Sequence, residues 1–392
     1  MLYRLLAGLL LLAPLTAPAA DLIDFWDTPR HGGNSFNRLP PEQAYFDALK
    51  AYGATWVRLS YDKWKPAGRD FLLGDADNYT ELVETDLDAL KQVLDRAQRA
   101  GLKVVIAPLS LPGMRWSQNN QGHFDDRLWQ DKRYWVQSAA FWRDLARALK
   151  DHPAVAAYNL VNEPAPEKHG GLAEHASPEL MKRWYMKAQG GPRDLPALSA
   201  ALLTAIREVD GKTPVMVDSG WYAAADAFSY WSQPLTDNRV LYSVHMYEPY
   251  AATSAPNMAR KQPFDYPGAV PFAGRSEHWD AARVSDYLQQ PVQWAAEHKV
   301  PRSRLVVGEF GCMRRLPGCR AYLEDVLSVL DRQGLHWAFY SFREDSWDGM
   351  DYELGTDKVP WRYWKAIDER APDPLVRHAS EAFEPIRRRL QP

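Results

Sequence analysis

From Asp21 onward, short apolar runs rich in β-branched residues alternate with longer stretches of helical period, and this alternation limits the chain to βα units around a parallel sheet. The runs that read as strands are residues 22–26, 55–60, 103–109, 155–161, 214–218, 240–245, 304–309 and 335–342. Helical stretches lie between them at 41–52, 82–100, 134–150, 198–209, 284–298 and 320–333, with Gly101 and Gly334 placed as C-terminal stops. Eight such strands predict an α/β fold: a single (β/α)8 barrel with long loops at its catalytic face. The longest irregular stretches, 165–196 and 248–280, follow the fourth and sixth strands and would border that face.

Residues 1–20 have a different character. Arg4 precedes an apolar run from Leu5 to Leu15, and Thr16-Ala17-Pro18-Ala19-Ala20 supplies small residues for a cleavage site. This reads as a cleaved export signal, leaving residues 21–392 as one domain in the periplasm or outside the cell. No later segment approaches the ~18 apolar residues of a membrane span. With 47 basic and 50 acidic side chains the net charge is -3, so no global field attracts nucleic acid, and a neutral substrate and a monomer are expected. The 16 Trp and 19 Tyr offer flat faces for sugar rings as well as for packing. Cys312 and Cys319 are the only cysteines; export makes a disulfide between them the favoured state, with two free thiols the alternative.

In a barrel of this kind the reacting groups project from the C-terminal ends of the strands. Two acids stand there. The fourth run leads into Asn162-Glu163-Pro164, and the seventh ends Gly308-Glu309-Phe310-Gly311. A carboxylate at the end of an apolar strand is costly unless paired or put to use, and two in one barrel favour chemistry over structural ion pairing. No phosphate loop, zinc-binding helix, nucleophile-elbow serine or dinucleotide fingerprint is visible, so neither a cofactor nor a metal is expected.

These two motifs, in this order, resemble the acid/base and nucleophile motifs of glycoside hydrolase family 5, and the likeness extends over nearly the whole chain after residue 20. The resemblance implies a retaining β-glycosidase or β-glycanase, with Glu163 as acid/base and Glu309 as nucleophile. Arg58, in Trp56-Val57-Arg58-Leu59-Ser60, is similar to the family's arginine on strand two, which implies an electrostatic role beside Glu309. Ser243-Val244-His245-Met246-Tyr247 resembles the strand-six motif, giving His245 a substrate contact and Tyr247 a place against the nucleophile. Asn162 would bond the sugar 2-hydroxyl.

Two positions depart from the family pattern. Strand three has no histidine in Ala107-Pro108-Leu109-Ser110, and Tyr340 stands where a strand-eight tryptophan would carry the central sugar. Trp221, and with it Trp64, Trp116 and Trp347, are further candidate sugar platforms. A transglycosylase using the same glutamates and a non-catalytic carbohydrate-binding barrel are the rival expectations. Product analysis at high acceptor concentration separates the first, and sugar affinity without turnover would mark the second.

Overall fold

The computed structural model describes residues 22–371, 375, 377 and 380–391, so the export-signal expectation at residues 1–20 lies outside the described residues. Eight parallel strands close into a barrel. They are β1 (His31–Ser35), β2 (Trp56–Leu59), β3 (Lys103–Ile106), β4 (Val155–Asn159), β5 (Val215–Asp218), β6 (Val240–Met246), β7 (Leu305–Phe310) and β8 (His336–Phe339), each paired with its neighbours in chain order, β8 closing on β1. No helix among the described residues is long and apolar enough to cross a membrane.

The first strand corrects the sequence reading. Leu22–Trp26 is a 3-10 turn, and β1 is instead His31-Gly32-Gly33-Asn34-Ser35, which contains no apolar run at all. Close approach of neighbouring strands explains the composition. A Cβ on Gly32 would stand 2.3 Å from the Trp56 carbonyl oxygen, and one on Gly33 would stand 3.0 Å from the Phe339 ring. The turn has another use: Trp26 is fully buried with Ile23, Val105, Met216 and Leu241, stacks edge-on to Trp56 at 5.2 Å, and donates from Nε1 to the Ala156 carbonyl at 3.2 Å. It fills the barrel interior below the site.

Between the strands run the helices Gln43–Ala51, Glu84–Arg99, Arg133–Leu149, Leu195–Arg207, Ala281–Glu297 and Cys319–Gln333. Two begin three residues earlier than their apolar period suggests, at Leu195 and Ala281. The Asp194 and Asp280 carboxylates accept from the amides of Ala197 (3.1 Å) and Arg283 (3.0 Å), so capping rather than hydrophobicity sets those starts. Gly334 ends the Cys319–Gln333 helix at φ 63°, a left-handed stop that suits glycine.

Neither long loop is wholly irregular. The one after β4 holds the helix Pro178–Ala188, started by Ser177, and the one after β6 holds an antiparallel hairpin pairing Gly268–Phe272 with Arg275–Trp279. A last helix, Glu384–Leu390, lies against β1, where His31 Nδ1 and the Arg389 carbonyl are 2.7 Å apart.

Candidate active site

Polar side chains interrupt the apolar strands at one level, near their C-terminal ends. Asn34 on β1, Arg58 on β2, Asn159 on β4, Asp218 on β5, His245 on β6 and Glu309 on β7 are all buried there. Burial of so many polar groups calls for mutual satisfaction, and Arg58 supplies it for Asn159, Asp218 and Glu309. Its Nε and Nη2 donate to Asn159 Oδ1 at 2.9 and 2.7 Å, Nη2 also donates to Asn162 Oδ1 at 2.6 Å, and Nη1 donates to Glu309 Oε1 at 2.5 Å. Asn159 in turn donates to Asp218 Oδ1 at 3.0 Å. Asn34 donates to the Gly308 carbonyl at 2.9 Å and to those of Ala338 and Phe339 at 3.2 and 3.3 Å, so it ties β1 to β7 and β8.

Glu163 is placed differently. It sits beyond the end of β4 at φ 45°, a left-handed conformation uncommon for a side chain of this size, and its amide donates to Asp218 Oδ2 at 3.1 Å. His245 Nδ1 lies 2.9 Å from Glu163 Oε1. The register between β6 and β7 shifts after Val244, so that His245 pairs with Glu309 and Gly308 is skipped. One carboxylate oxygen from each of Glu163 and Glu309 and one His245 nitrogen all lie within 4.8 Å of one another. Tyr247 donates its hydroxyl to Glu309 Oε2 at 2.7 Å.

The environments of the two acids therefore differ. Burial raises the Glu163 carboxyl above the usual range, and the charge of Glu309 adds to this; the His245 contact and Arg58 act the other way. Burial opposes protonation of His245, yet the surrounding carboxylates of Glu309, Glu163 and Asp218 outweigh it and raise the imidazole. The trio of Glu163, His245 and Glu309 is within metal-ligand reach, but the Arg58 guanidinium already holds Glu309 and would repel a cation.

Both acids open onto a cleft of about 850 Å³. Asn162, His245, Tyr247, Trp221 and Tyr340 line it, as do Trp116 and Trp347. Trp64 does not: it is buried at 2% exposure against Phe71, which removes it from the candidate platforms. Trp221 is itself only 6% exposed, in a turn where Trp221, Tyr222 and Ala223 all have positive φ. Its amide donates to Glu167 Oε2 at 3.1 Å. The Tyr340 hydroxyl donates to Glu344 at 2.6 Å, which holds the ring at the cleft wall. Where strand three lacks a histidine, the amides of Leu109 and Ser110 instead bond the Asp62 carboxylate at 2.8 and 2.7 Å. Cys312 and Cys319 are disulfide-bonded, with their Cα atoms 5.5 Å apart, in the segment that follows Glu309.

Sequence reading missed Asn34, Asn159 and Asp218. Asn159 and Asp218 each end an apolar strand, a signal legible only when the strands are aligned by their C-terminal ends, and Asn34 lies in a strand with no apolar run to mark it.

A closed (β/α)8 barrel with facing carboxyls at its C-terminal mouth and an aromatic-walled cleft has the architecture of a glycoside hydrolase. Residues 24–346 match the cellulase family, glycosyl hydrolase family 5, and the chain belongs to that family. Over 146 residues it is 30% identical to probable glucan 1,3-beta-glucosidase A of Aspergillus niger, an alignment spanning 37% of this chain and 32% of that protein. Among solved structures, Thermotoga maritima Cel5A in complex with cellobiose superposes with a TM-score of 0.62 at 16% identity, covering 93% of this chain and 100% of that one. An endoglucanase superposes at 0.59 with 21% identity over 82% of this chain and 92% of its own, which shows a shared fold.

Proposed function

We propose that the chain is a retaining β-glycan hydrolase in which Glu309 attacks the anomeric carbon and Glu163 serves as acid and then base. The observation that carries this reading is that one oxygen of each carboxyl lies within 4.8 Å of one of the other, which favours a retaining pair, about 5–5.5 Å apart, over an inverting pair, about 6.5–9.5 Å apart with room for a water. The partners divide the roles. Arg58 and Tyr247 bond one oxygen each of Glu309 and so orient it for attack, whereas the raised carboxyl of Glu163 keeps a proton to give.

In the first step a Glu309 oxygen bonds to the anomeric carbon as the glycosidic bond breaks, and the Glu163 proton passes to the leaving oxygen. In the second, Glu163 takes a proton from water, whose oxygen displaces Glu309 from the same carbon. Asn162, oriented through its carbonyl by Arg58, is placed to bond the 2-hydroxyl, and Trp116, Trp221, Tyr340 and Trp347 to pack on sugar faces. The similarity to a probable glucan 1,3-beta-glucosidase favours a β-glucan as substrate. The disulfide supports an exported protein, periplasmic or extracellular.

The test is proton NMR of the first product released from a β-glucan oligosaccharide. A β-anomer that later mutarotates is expected. An α-anomer appearing first would refute retention.

A further inference from the structure

Outside the catalytic cluster, the cleft has a second concentration of charge. His175, in the loop after β4, takes a left-handed φ of 51° and points its ring at three other elements. Nδ1 lies 3.1 Å from Asp226 in the loop after β5, and Nε2 lies 3.3 Å from Glu248 in the loop after β6. The ring faces Phe272 of the hairpin, with centroids 4.4 Å apart and planes 30° from parallel. Glu174 adds a third carboxylate 3.9 Å from Nε2. His175, Glu248 and Phe272 all line the cleft.

The end of the cleft they occupy follows from Glu163. Tyr222 and Tyr250, which line the cleft, feel the charges of both Glu163 and Glu174, so the His175 cluster adjoins Glu163. A proton donor lies beside the oxygen it protonates, so the sugar that departs must sit on this side. Resting on the role proposed above for Glu163, we propose that His175 is a positioning residue: as a cation shared by Asp226 and Glu248, it fastens the three loops and the hairpin into a binding wall for the departing sugar chain.

The charge state fits. Burial alone would lower the imidazole, but hydrogen bonds to Asp226 and Glu248 and their charges overcome it and hold His175 at about 10, so both ring nitrogens donate at neutral pH. Removing the cation leaves Glu174, Asp226 and Glu248 facing one another without compensation, and the loops would part.

The experiment compares two probes on His175→Ala: a β-gluco-oligosaccharide of five units, taken in β-1,3- and β-1,4-linked forms, and 2,4-dinitrophenyl β-cellobioside. The aryl group leaves without a sugar on the departing side. The expected result is a loss of kcat/KM on the better pentasaccharide at least tenfold larger than the loss on the aryl glycoside, with partial recovery of the ratio in His175→Lys and none in His175→Gln. Should His175→Ala not fold, Glu248→Gln removes one arm of the clasp and should shift the same ratio at least threefold. Equal losses on both probes, or a parent enzyme that accepts only the aryl glycoside, would overturn the clasp and leave the hydrolase reading standing. A parent that cleaves neither overturns both.

Discussion

Tyr247 donates to Oε2 of Glu309 at 2.7 Å while Arg58 holds Oε1 at 2.5 Å, so each oxygen of that carboxylate has its own donor. Hydrogen bonds to a charged group contribute about 1.5–3 kcal/mol each. If they act on the attacking carboxylate, Tyr247→Phe and Arg58→Lys should each lower kcat by roughly 10- to 100-fold with a smaller change in KM. Steady-state kinetics decide this. Unchanged kcat in both variants would detach these residues from the reaction.

The two glutamates should fail in different ways. Glu309→Ala should stop turnover, and azide should restore it as an α-glycosyl azide formed by direct displacement in the vacated space. Glu163→Ala should still react with good aryl leaving groups, which need little protonation, and azide should there give the β-glycosyl azide. Product anomers read by NMR test the assignment, and the same anomer from both variants would refute it.

The register shift between β6 and β7 depends on Gly308, where an added Cβ would stand 2.6 Å from Ser243 Oγ and 3.2 Å from His245 Nε2. Gly308→Ala should displace His245 from Glu163, with a stability loss of about 1–3 kcal/mol typical of overpacking. Denaturant melts and activity should fall together. A variant with full activity would show that the strand pair adapts without moving the imidazole.

How far the sequence discloses this arrangement depends on whether a position's reason is local. β2 through β8 are written in apolar runs because both faces of each strand are covered, and Glu163 and Glu309 stand out because acids follow those runs. β1 escapes because its composition answers to Trp56 and Phe339 across the sheet, and a glycine pair says nothing locally about a neighbouring carbonyl. Asp218 and Asn159 escape for a similar reason. They have meaning only through Arg58, which is distant in sequence and joined to them by closure of the barrel.

The Cys312–Cys319 disulfide spans a short sequence separation of 7 and lies in the segment after Glu309. Closing such a loop stabilises the fold by roughly 2.5 kcal/mol in the chain-entropy model. Replacing both cysteines with serine should lower the melting temperature accordingly, and thiol titration of the unreduced protein should detect no reactive group. An unchanged melting temperature would mean that native contacts alone hold the loop.

Glu167 is fully buried beneath Trp221, and burial raises its carboxyl from 4.5 to about 7 against the hydrogen bonds of Tyr185 and Trp221. Since the folded value lies above the unfolded one, its contribution to stability is complete below about 4.5 and is lost as pH climbs through about 7. Between those limits the parent should lose up to roughly 3 kcal/mol that Glu167→Gln does not lose. Urea titrations at several pH values measure the two slopes, and parallel slopes would contradict the assignment.

Asn34 belongs to the first strand, yet its amide reaches carbonyls of the seventh and eighth. No incomplete stretch of the chain can make that joint. Until residues 336–339 have emerged and docked, His31–Gly33 has no partner on one side and the carbonyl preceding Glu309 lacks this donor. Catalytic competence should therefore arise in a single late event during maturation, after the most distant contacts have been made. A nascent enzyme of this design would be inert along almost the whole of its synthesis, and the appearance of activity would itself time the sealing of the barrel.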